Sequence, residues 1–259
     1  FGSTPEHGLL FLKPAQLGSA LATKLITLVP SNASRGLPSL LATIVLMDPA
    51  TGAATAILEG ATLTAMRTAA VSAVAADALT PAGPKIVAML GSGVLARSHA
   101  KLLRLIRPVD EIRVWSRHKD NVQACAKDID GRACGSAEEA VRGADIICTV
   151  SNAETPILKG AWLKAGAFVA AVGAPRPTWR ELDDDAMRNV VIADQRQAAE
   201  QESGDVILSK ATITAEIGEL LAGTVAMPKA GSTIIFKSLG QAVEDAVAAQ
   251  LILHASLKK

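Results

Sequence analysis

Aromatic side chains are scarce in this chain of 259 residues, which has no tyrosine and an aromatic fraction of 3%. Proteins that stack nucleic-acid bases or enclose quaternary ammonium groups depend on such rings, so both functions are disfavoured. The formal net charge is only +1, and acidic and basic residues are mixed along the sequence, so no basic surface for a phosphate backbone is indicated. Nucleic acid is therefore not an expected partner.

Cysteine and histidine are too few and too scattered for a disulfide framework or a metal site. Cys125, Cys134 and Cys148 lack CxxC spacing, and the four histidines include no pair at the spacing of helical metal ligands. We therefore expect reduced, buried thiols and no bound metal.

Long apolar runs and targeting signals are also lacking. No stretch without Asp, Glu, Lys or Arg is longer than that of residues 36–47, which is too short to span a bilayer. No basic-then-apolar leader opens the sequence. Since 49% of the residues are hydrophobic, the sequence predicts a globular protein with a substantial core. From the lack of a leader and of a long apolar run, we expect a cytoplasmic protein with no membrane partner.

The first third of the chain predicts an antiparallel sheet followed by a helix. Strand-forming residues are concentrated in four runs, at residues 8–12, 22–29, 41–47 and 53–59. The last two runs flank the segment Asp-Pro-Ala-Thr-Gly at residues 48–52, which is typical of a hairpin turn. Residues 61–79 are rich in alanine and predict a helix that ends before Pro81.

Strands and helices alternate after residue 85. Short apolar runs at residues 86–90, 111–115, 146–150, 167–172 and 190–193 are separated by helical segments such as 94–106 and 120–129. This alternation predicts an α/β domain with a doubly wound parallel sheet, because parallel neighbours need crossover connections. Residues 213–221 then predict a helix, 233–236 a strand and 241–253 a closing helix. We assign residues 81–231 to the α/β domain, and residues 1–80 and 232–259 to a smaller α+β domain.

A glycine-rich motif follows the first strand of the α/β domain and opens a helix. Its GxGxxA pattern is formed by Gly91, Ser92, Gly93, Val94, Leu95 and Ala96. The first glycine allows a tight turn, the second a close approach of the backbone to a pyrophosphate, and the alanine close packing of the helix on the sheet. The phosphates are expected at the N-terminus of the helix, where free N–H groups favour anions. The motif thus predicts a Rossmann domain that binds a dinucleotide.

The end of the second strand of this domain indicates which dinucleotide is bound. NAD-binding domains place an acidic residue there to accept a hydrogen bond from the ribose 2′-hydroxyl. This chain has Ser116, Arg117 and His118 instead. A guanidinium suits a 2′-phosphate because it carries a fixed charge and several donors, so NADP(H) is favoured, while NAD(H) stays possible.

Two cations stand out in apolar surroundings near the start of the chain. Lys24 lies in a strand-like run and Arg67 in the alanine-rich helix. From spacing alone, solvated charges on otherwise buried elements explain both residues as well as a binding site does.

The sequence resembles the ornithine cyclodeaminase/mu-crystallin family over nearly its whole length. The matching stretches are Thr-Lys-Leu at 23–25, Met-Arg-Thr-Ala-Ala at 66–70, the GxGxxA motif, residues 172–174 and 179–183, Glu-Ser-Gly-Asp at 202–205, Phe-Lys-Ser-Leu-Gly at 236–240 and Val-Glu-Asp at 243–245. The resemblance implies a Rossmann domain, a substrate and dimerisation domain built from both chain ends, and a homodimer.

Individual positions indicate which reaction of the family to expect. Its cyclodeaminases and alanine dehydrogenases carry a catalytic Asp at the position of Pro175, and cyclodeaminases also carry a Glu at the position of Phe11. Residues 173–183 are instead similar to the ketimine reductases. The resemblance implies NADPH-dependent reduction of Δ1-pyrroline-2-carboxylate or Δ1-piperideine-2-carboxylate to proline or pipecolate. The alternatives are an ornithine cyclodeaminase or alanine dehydrogenase, and a non-enzymatic, NADPH-dependent binder of small molecules.

The resemblance also implies roles for single residues. Arg67 is expected to bind the substrate carboxylate, and Lys24 to help hold the substrate and to donate a proton. Ser39, Pro175 and Ser238 are expected near the substrate. Further expected cofactor positions are Thr149, Val150, Ser151, Asn152, Val172, Gly173, Ala174, Ser238 and Leu239. Because relatives complete a strand and a helix before the position of Phe1, we expect the N-terminal part of the first domain to be missing from this sequence.

Overall fold

The computed structural model describes residues 2–3 and 8–258. The chain divides into two compact units, which are called unit 1 (Phe1–Arg67 and Gly240–Lys259) and unit 2 (Thr68–Leu239). The predicted domain boundaries, at residues 80/81 and 231/232, stay predictions. Among the described residues, no helix combines the length and the apolar character that crossing a membrane requires.

The described elements follow one another in this order. The strands are β1 (Gly2–Ser3), β2 (Leu9–Leu17), β3 (Ala20–Leu28), β4 (Leu40–Met47), β5 (Ala54–Glu59), β6 (Lys85–Leu90), β7 (Val109–Trp115), β8 (Arg132–Ala133), β9 (Ile146–Thr149), β10 (Phe168–Ala171), β11 (Val190–Ala193), β12 (Ile213–Glu216) and β13 (Ile234–Lys237). The α-helices are α1 (Gly60–Leu79), α2 (Val94–Ile106), α3 (Lys119–Asp128), α4 (Ala137–Val141), α5 (Asp184–Met187), α6 (Arg196–Glu202), α7 (Gly204–Ser209), α8 (Ile217–Leu221) and α9 (Ala242–Ser256). Short 3₁₀ helices cover Pro30–Arg35 and Gly160–Trp162.

Unit 1 contains the predicted antiparallel sheet, in the order β1-β2-β3-β4-β5. The hairpin between β4 and β5 forms as expected, because the Asp48 carboxylate accepts hydrogen bonds from the backbone of Ala50 and Thr51. Gly52 completes the turn with a φ of +74°, in the left-handed region that favours glycine. Local turn chemistry therefore sets the register of these two strands.

Helix α9 packs against one face of this sheet, on β2, β3 and β4. The small core is made of Ala20, Ala22, Ile44, Leu46, Leu63, Ala246 and Ala249. Along β3, every second residue from Ala20 to Lys24 is buried, whereas the residues between them are partly exposed. Because strand side chains alternate between faces, Lys24 shares the buried face with the alanines.

Strand β2 is longer than the sequence predicted, since it continues through Pro14 to Leu17. A proline has no N–H group for a sheet and is tolerated at an edge. In the described residues, β1 pairs with Leu9 and Leu10, and Pro14 lies beyond this pairing. The longer strand brings Lys13 directly opposite Lys24.

Unit 2 has the predicted doubly wound fold, with eight parallel strands in the order β12-β11-β13-β10-β9-β6-β7-β8. From β6 the chain first adds β7 and β8 on one side and then β9 and β10 on the other. Open α/β sheets bind ligands at such a switch point, outside the carboxyl ends of the strands. The topology therefore places the GxGxxA motif, which follows β6, at the expected ligand crevice.

The prediction of a helix at residues 213–221 is wrong for the first half of this segment. Ile213–Glu216 forms β12, which pairs in parallel with β11, and only Ile217–Leu221 is helical. Ile213 and Ala215 are buried while Thr214 is exposed, which is the two-residue alternation of a strand. Four residues are too few for this period to be distinguished from a helix by sequence alone.

Candidate functional site

The dinucleotide motif has the geometry that its residue types imply. Gly91 has a φ of +140°, and a Cβ atom there would lie 2.5 Å from the carbonyl oxygen of Val150, so only glycine fits without a shift. Its N–H group donates to the Trp115 carbonyl at 2.8 Å. Gly93 precedes the first turn of α2 without a side-chain cap, and Ala96 is fully buried where the helix meets the sheet. The N–H groups at the start of α2 thus stay available to an anion.

A cleft of about 240 Å³ opens at the carboxyl ends of β6, β7 and β9. Nine predicted cofactor residues line it: Gly91, Ser92, Gly93, Ser116, Arg117, His118, Val150, Ser151 and Asn152. Trp115 and Ile157 also line it, and no sequence motif indicates either of them. Val94, Leu95 and Ala96 belong to α2 and are not part of the lining.

Ser116 and Arg117 follow β7, at the position where NAD-binding domains carry an acidic residue. The hydroxyl groups of Ser92 and Ser116 are 2.8 Å apart and join the two loops. Arg117 is exposed, lines this cleft and a neighbouring one with Lys119 and Gln123, and forms no ion pair within the described part of the chain. No Asp or Glu lines either cleft among the described residues. The guanidinium is therefore available to a phosphate.

The remaining predicted cofactor residues lie at the ends of β9, β10 and β13. Ala174 has a φ of +53°, which is an uncommon, strained conformation for a residue other than glycine. Gly173 has no room for a side chain, because a Cβ atom there would collide with the Glu181 carboxylate. Pro175 follows and is exposed. This loop is therefore held in one tight conformation by its surroundings.

The Glu181 carboxylate binds both the loop at Ser151 and the loop at Gly173. One carboxylate oxygen accepts hydrogen bonds from the N–H and hydroxyl groups of Ser151, at 2.7 and 2.6 Å, and the other from the N–H group of Gly173, at 2.9 Å. The side chain is fully buried. Burial raises the pKa of Glu181, and the nearby Lys237 ammonium opposes this shift.

Lys237 and Asp205 complete a buried group of charges, which with Glu181 is called the unit-2 cluster. The Lys237 ammonium donates to the Gly173 carbonyl and, at 3.0 Å, to Asp205. The other oxygen of Asp205 accepts from the N–H groups of Glu181 and Leu182, at 2.8 and 3.0 Å. All three charged side chains are fully buried. The cluster therefore binds mainly backbone of its own unit.

Ser238 and Leu239 are held by a further carboxylate. Asp194 accepts hydrogen bonds from the Leu239 N–H group at 2.7 Å and from the Ser238 hydroxyl at 3.2 Å. The Ser238 hydroxyl is thus bound within unit 2, and its predicted role toward the substrate stays a prediction.

Lys24 and Arg67, the two predicted catalytic residues, are brought together in unit 1 by two carboxylates. Asp245 lies 2.6 Å from the Lys24 ammonium through Oδ2 and 3.0 Å from Nε of Arg67 through Oδ1. Glu244 lies 2.6 Å from Nη1 of Arg67. The exposed fractions are 2% for Lys24 and Asp245, and 8% for Arg67. Neither cation is a solvated surface charge. These four residues are called the unit-1 cluster.

Two further residues shape this cluster, and neither was predicted from the sequence as a site residue. Lys13 lies opposite Lys24 in the sheet and donates to the Gly240 carbonyl at 3.1 Å. Gly240 has a φ of +78°, and a Cβ atom there would collide with the Arg67 guanidinium. Glycine at this position therefore lets the backbone of residue 240 lie against Arg67.

The protonation of Lys24 is perturbed by these surroundings. Burial lowers its pKa to about 8, and the charge of Arg67 acts in the same direction, while Asp245 opposes the shift. An ammonium with a pKa of about 8 exchanges its proton near neutral pH, which is the property of a general acid or base.

The charges of the unit-1 cluster and of Lys13 allow an anion to bind. Lys13, Lys24 and Arg67 carry three positive charges, and Glu244 and Asp245 carry two negative charges. A guanidinium has five N–H donors, and the contacts of Arg67 to Glu244 and Asp245 use two of them. Within the described residues, the site can therefore accept one carboxylate without an excess of negative charge.

Ser39, another predicted substrate residue, lies just before β4. Its carbonyl accepts a hydrogen bond from Val29, and it takes part in none of the described contacts of the unit-1 cluster. Its assignment stays a prediction.

Comparisons with known proteins agree with the resemblance noted in the sequence. A model of the ornithine cyclodeaminase/mu-crystallin family matches residues 2–259. The chain belongs to this family. The Ketimine reductase mu-crystallin of Mus musculus is 46% identical over 253 residues, which are 95% of this chain and 80% of the relative.

Two solved structures of the family are similar to this chain. Thermococcus litoralis Δ1-pyrroline-2-carboxylate reductase, in complex with NADH and L-proline, has a TM-score of 0.90 and 32% identity, with 98% of this chain and 84% of that chain covered. An archaeal alanine dehydrogenase dimer with bound NAD has a TM-score of 0.89 and 25% identity, with 99% and 83% covered. The predicted class, an oxidoreductase with a Rossmann-type domain, is confirmed.

Proposed function

We propose that this oxidoreductase reduces the C=N bond of a small cyclic ketimine carboxylate, Δ1-pyrroline-2-carboxylate or Δ1-piperideine-2-carboxylate, with NADPH. The observation that supports this most is the unit-1 cluster, in which two buried cations keep donors unused by the described residues and, counted with Lys13 over those residues, carry an excess of one positive charge. A carboxylate-bearing substrate without a second acidic group matches that charge. The named relatives are a ketimine reductase and a Δ1-pyrroline-2-carboxylate reductase.

In the proposed reaction, the substrate carboxylate accepts hydrogen bonds from Arg67 and Lys24. NADPH held in the dinucleotide cleft would supply the hydride that the imine carbon takes up, leaving NADP⁺, and with a proton on the imine nitrogen the product would be proline or pipecolate. Lys24 supplies this proton, since its pKa of about 8 suits proton transfer near neutral pH. Holding the reactants in place contributes much of the rate enhancement of such reactions.

The preference for NADPH rests on Arg117. Its exposed guanidinium lines the dinucleotide cleft and has no acidic partner among the described residues, so it is free to bind a 2′-phosphate. The T. litoralis structure contains NADH, and both cofactors therefore belong in the assay.

The function is tested by assaying five- and six-membered cyclic imino acids with NADPH and NADH, followed through the nicotinamide absorbance. We expect turnover of a cyclic imino acid, faster with NADPH. Faster release of ammonia from ornithine, or faster NAD⁺-dependent oxidation of alanine, contradicts the proposal and favours the deaminating alternatives. Tight NADPH binding without any turnover favours the non-enzymatic binder.

We further propose a homodimer formed through unit 1. The sheet face away from α9 carries exposed apolar side chains, among them Leu12, Leu41 and Ile57, whose exposed fractions are 58%, 47% and 74%. Exposed apolar patches of this kind are typical of protein interfaces. The archaeal alanine dehydrogenase is a dimer. A molar mass of one chain in light scattering contradicts this proposal.

A further inference from the structure

Asp245 contacts both cations of the unit-1 cluster, one through each carboxylate oxygen. Oδ2 lies 2.6 Å from the Lys24 ammonium, and Oδ1 lies 3.0 Å from Nε of Arg67. The described ion pair of Glu244, the preceding residue, is with Nη1 of Arg67. Lys24 and Arg67 lie on different elements, β3 and α1, and Asp245 on a third, α9. Asp245 is therefore the carboxylate that joins the two cations in the described contacts.

The position of this carboxylate is itself fixed. Asp245 lies in the first turn of α9, where the helix dipole favours a negative charge. Its side chain is 2% exposed, and the neighbouring Ala246 and Ala249 belong to the core of unit 1. An aspartate that is anchored by its own helix can hold two longer, more flexible side chains in one geometry.

We propose that Asp245 is the positioning residue for the pair of cations that binds the substrate carboxylate, and that it keeps Lys24 protonated. The inference rests on the proposed function. Asp245 does not contact the substrate; it orients Arg67 and holds the Lys24 ammonium, which also donates to Thr64 at 3.3 Å. Burial, Arg67 and Lys13 all lower the pKa of Lys24, and Asp245 is the charged group that raises it.

Because the neighbours of Lys24 shift its pKa in different directions, the loss of each one should change the pH dependence of kcat/KM differently. Loss of the Asp245 charge lowers the pKa of Lys24 further, so the decline of kcat/KM at basic pH moves to lower pH. Loss of Lys13, which lowers the pKa of Lys24, moves that decline to higher pH. Loss of the Glu244 charge weakens the hold on Arg67 but leaves the decline in place, because its described ion pair is with Arg67 and Glu244 is not among the groups that shift the pKa of Lys24.

The experiment compares Asp245→Asn with Glu244→Gln and Lys13→Met, in steady-state kinetics with Δ1-pyrroline-2-carboxylate and NADPH from about pH 6 to about pH 10. For Asp245→Asn we expect kcat/KM to fall at least tenfold even at acidic pH, where Lys24 keeps its proton, and the basic decline to move to lower pH. The imine titrates alike in all assays, so differences among variants report the enzyme. A decline in Asp245→Asn at the wild-type pH, or a loss no larger than in Glu244→Gln, overturns the proposal.

A second measurement separates this proposal from the proposed function. In protein labelled with ¹³C-lysine, the Cε resonance of Lys24, assigned with Lys24→Met, gives its titration without any turnover. A midpoint that is lower in Asp245→Asn and unchanged in Glu244→Gln supports the Asp245–Lys24 coupling even if no imino acid is reduced. An unchanged midpoint in both variants overturns it.

If Asp245→Asn does not fold, Asp245→Glu replaces it in the kinetic experiment. Because this variant retains the charge, we expect kcat/KM to fall without a shift of the basic decline. A wild-type kcat/KM in Asp245→Glu contradicts the positioning role.

Discussion

Each unit of this protein buries a cluster of opposite charges, and the two clusters use their hydrogen bonds differently. In the unit-2 cluster, Glu181 and Asp205 accept five hydrogen bonds from N–H and hydroxyl groups of their own unit, and the three charged side chains are fully buried. In the unit-1 cluster, the described partners of Lys24 and Arg67 are side chains, and Arg67, although buried, keeps an exposed fraction of 8%.

This difference indicates two tasks for buried charge. Carboxylates that accept from backbone N–H groups fix the course of loops, and the unit-2 cluster fixes the loops at Ser151 and Gly173. Cations that are held by side chains, with donors left over in the described contacts, are oriented but not saturated, which supports the proposed role of the unit-1 cluster in binding a ligand. The comparison predicts that substitutions in unit 2 act mainly on stability and substitutions in unit 1 mainly on activity.

The largest effect is expected for Lys237→Met. This change leaves Glu181 and Asp205 buried without their cation, and breaking a buried ion pair in this way costs about 3–5 kcal/mol. Denaturant unfolding, followed by circular dichroism, measures the free energy of unfolding. The double variant Lys237→Met/Asp205→Asn removes one of the unpaired charges and should regain part of the loss. A loss below about 1 kcal/mol in the single variant means that the unit-2 cluster does not stabilise its unit.

A smaller effect, on activity rather than stability, is expected for Gly240→Ala. The new Cβ atom collides with the Arg67 guanidinium and displaces it from Glu244 and Asp245. We expect kcat/KM for the cyclic imino acid to fall at least tenfold, or about 1.4 kcal/mol, mainly through a higher KM.

Gly18→Ala is the matched control for this variant. Gly18 also has a positive φ, of +56°, but a Cβ atom added there would have no other atom within 4 Å. Its substitution therefore reports the backbone strain alone. If Gly18→Ala lowers kcat/KM as much as Gly240→Ala, the contact between residue 240 and Arg67 is irrelevant to binding.

The sequence predicted the two units unequally well. The GxGxxA motif and the alternation of strands and helices are local patterns, and they predicted the fold of unit 2 and nine residues of its cleft. Lys24 and Arg67 were predicted as single residues, but the carboxylate that joins them lies 178 positions after Arg67, where no local period connects the two. Lys13 was missed because the predicted strand ended at residue 12, and its pairing with Lys24 requires the longer β2.

The unit-2 cluster was missed for a similar reason. Lys237 ends the apolar strand β13, and a charge at the end of a fully buried strand signals a buried partner. The partner itself, Asp205, is 32 positions away and lies on a different element, so the sequence does not identify it. Patterns with a short period predict elements, whereas ion pairs between distant elements need the structure.

The smallest effect is expected at the cofactor cleft, for Arg117→Asp. Arg117 is exposed, and the pairing of exposed charges contributes only about 1 kcal/mol, so the ratio of kcat/KM for NADPH to that for NADH should fall about fivefold. Arg104→Asp, which changes another exposed arginine of unit 2 outside the cleft, is the control and should leave the ratio unchanged. Because the affinity of an exposed pair is screened by salt, the difference between the two cofactors should also shrink at high ionic strength in the wild-type protein. An equal ratio in both variants would show that selection of the phosphorylated cofactor depends on other residues, such as Lys119 in the neighbouring cleft.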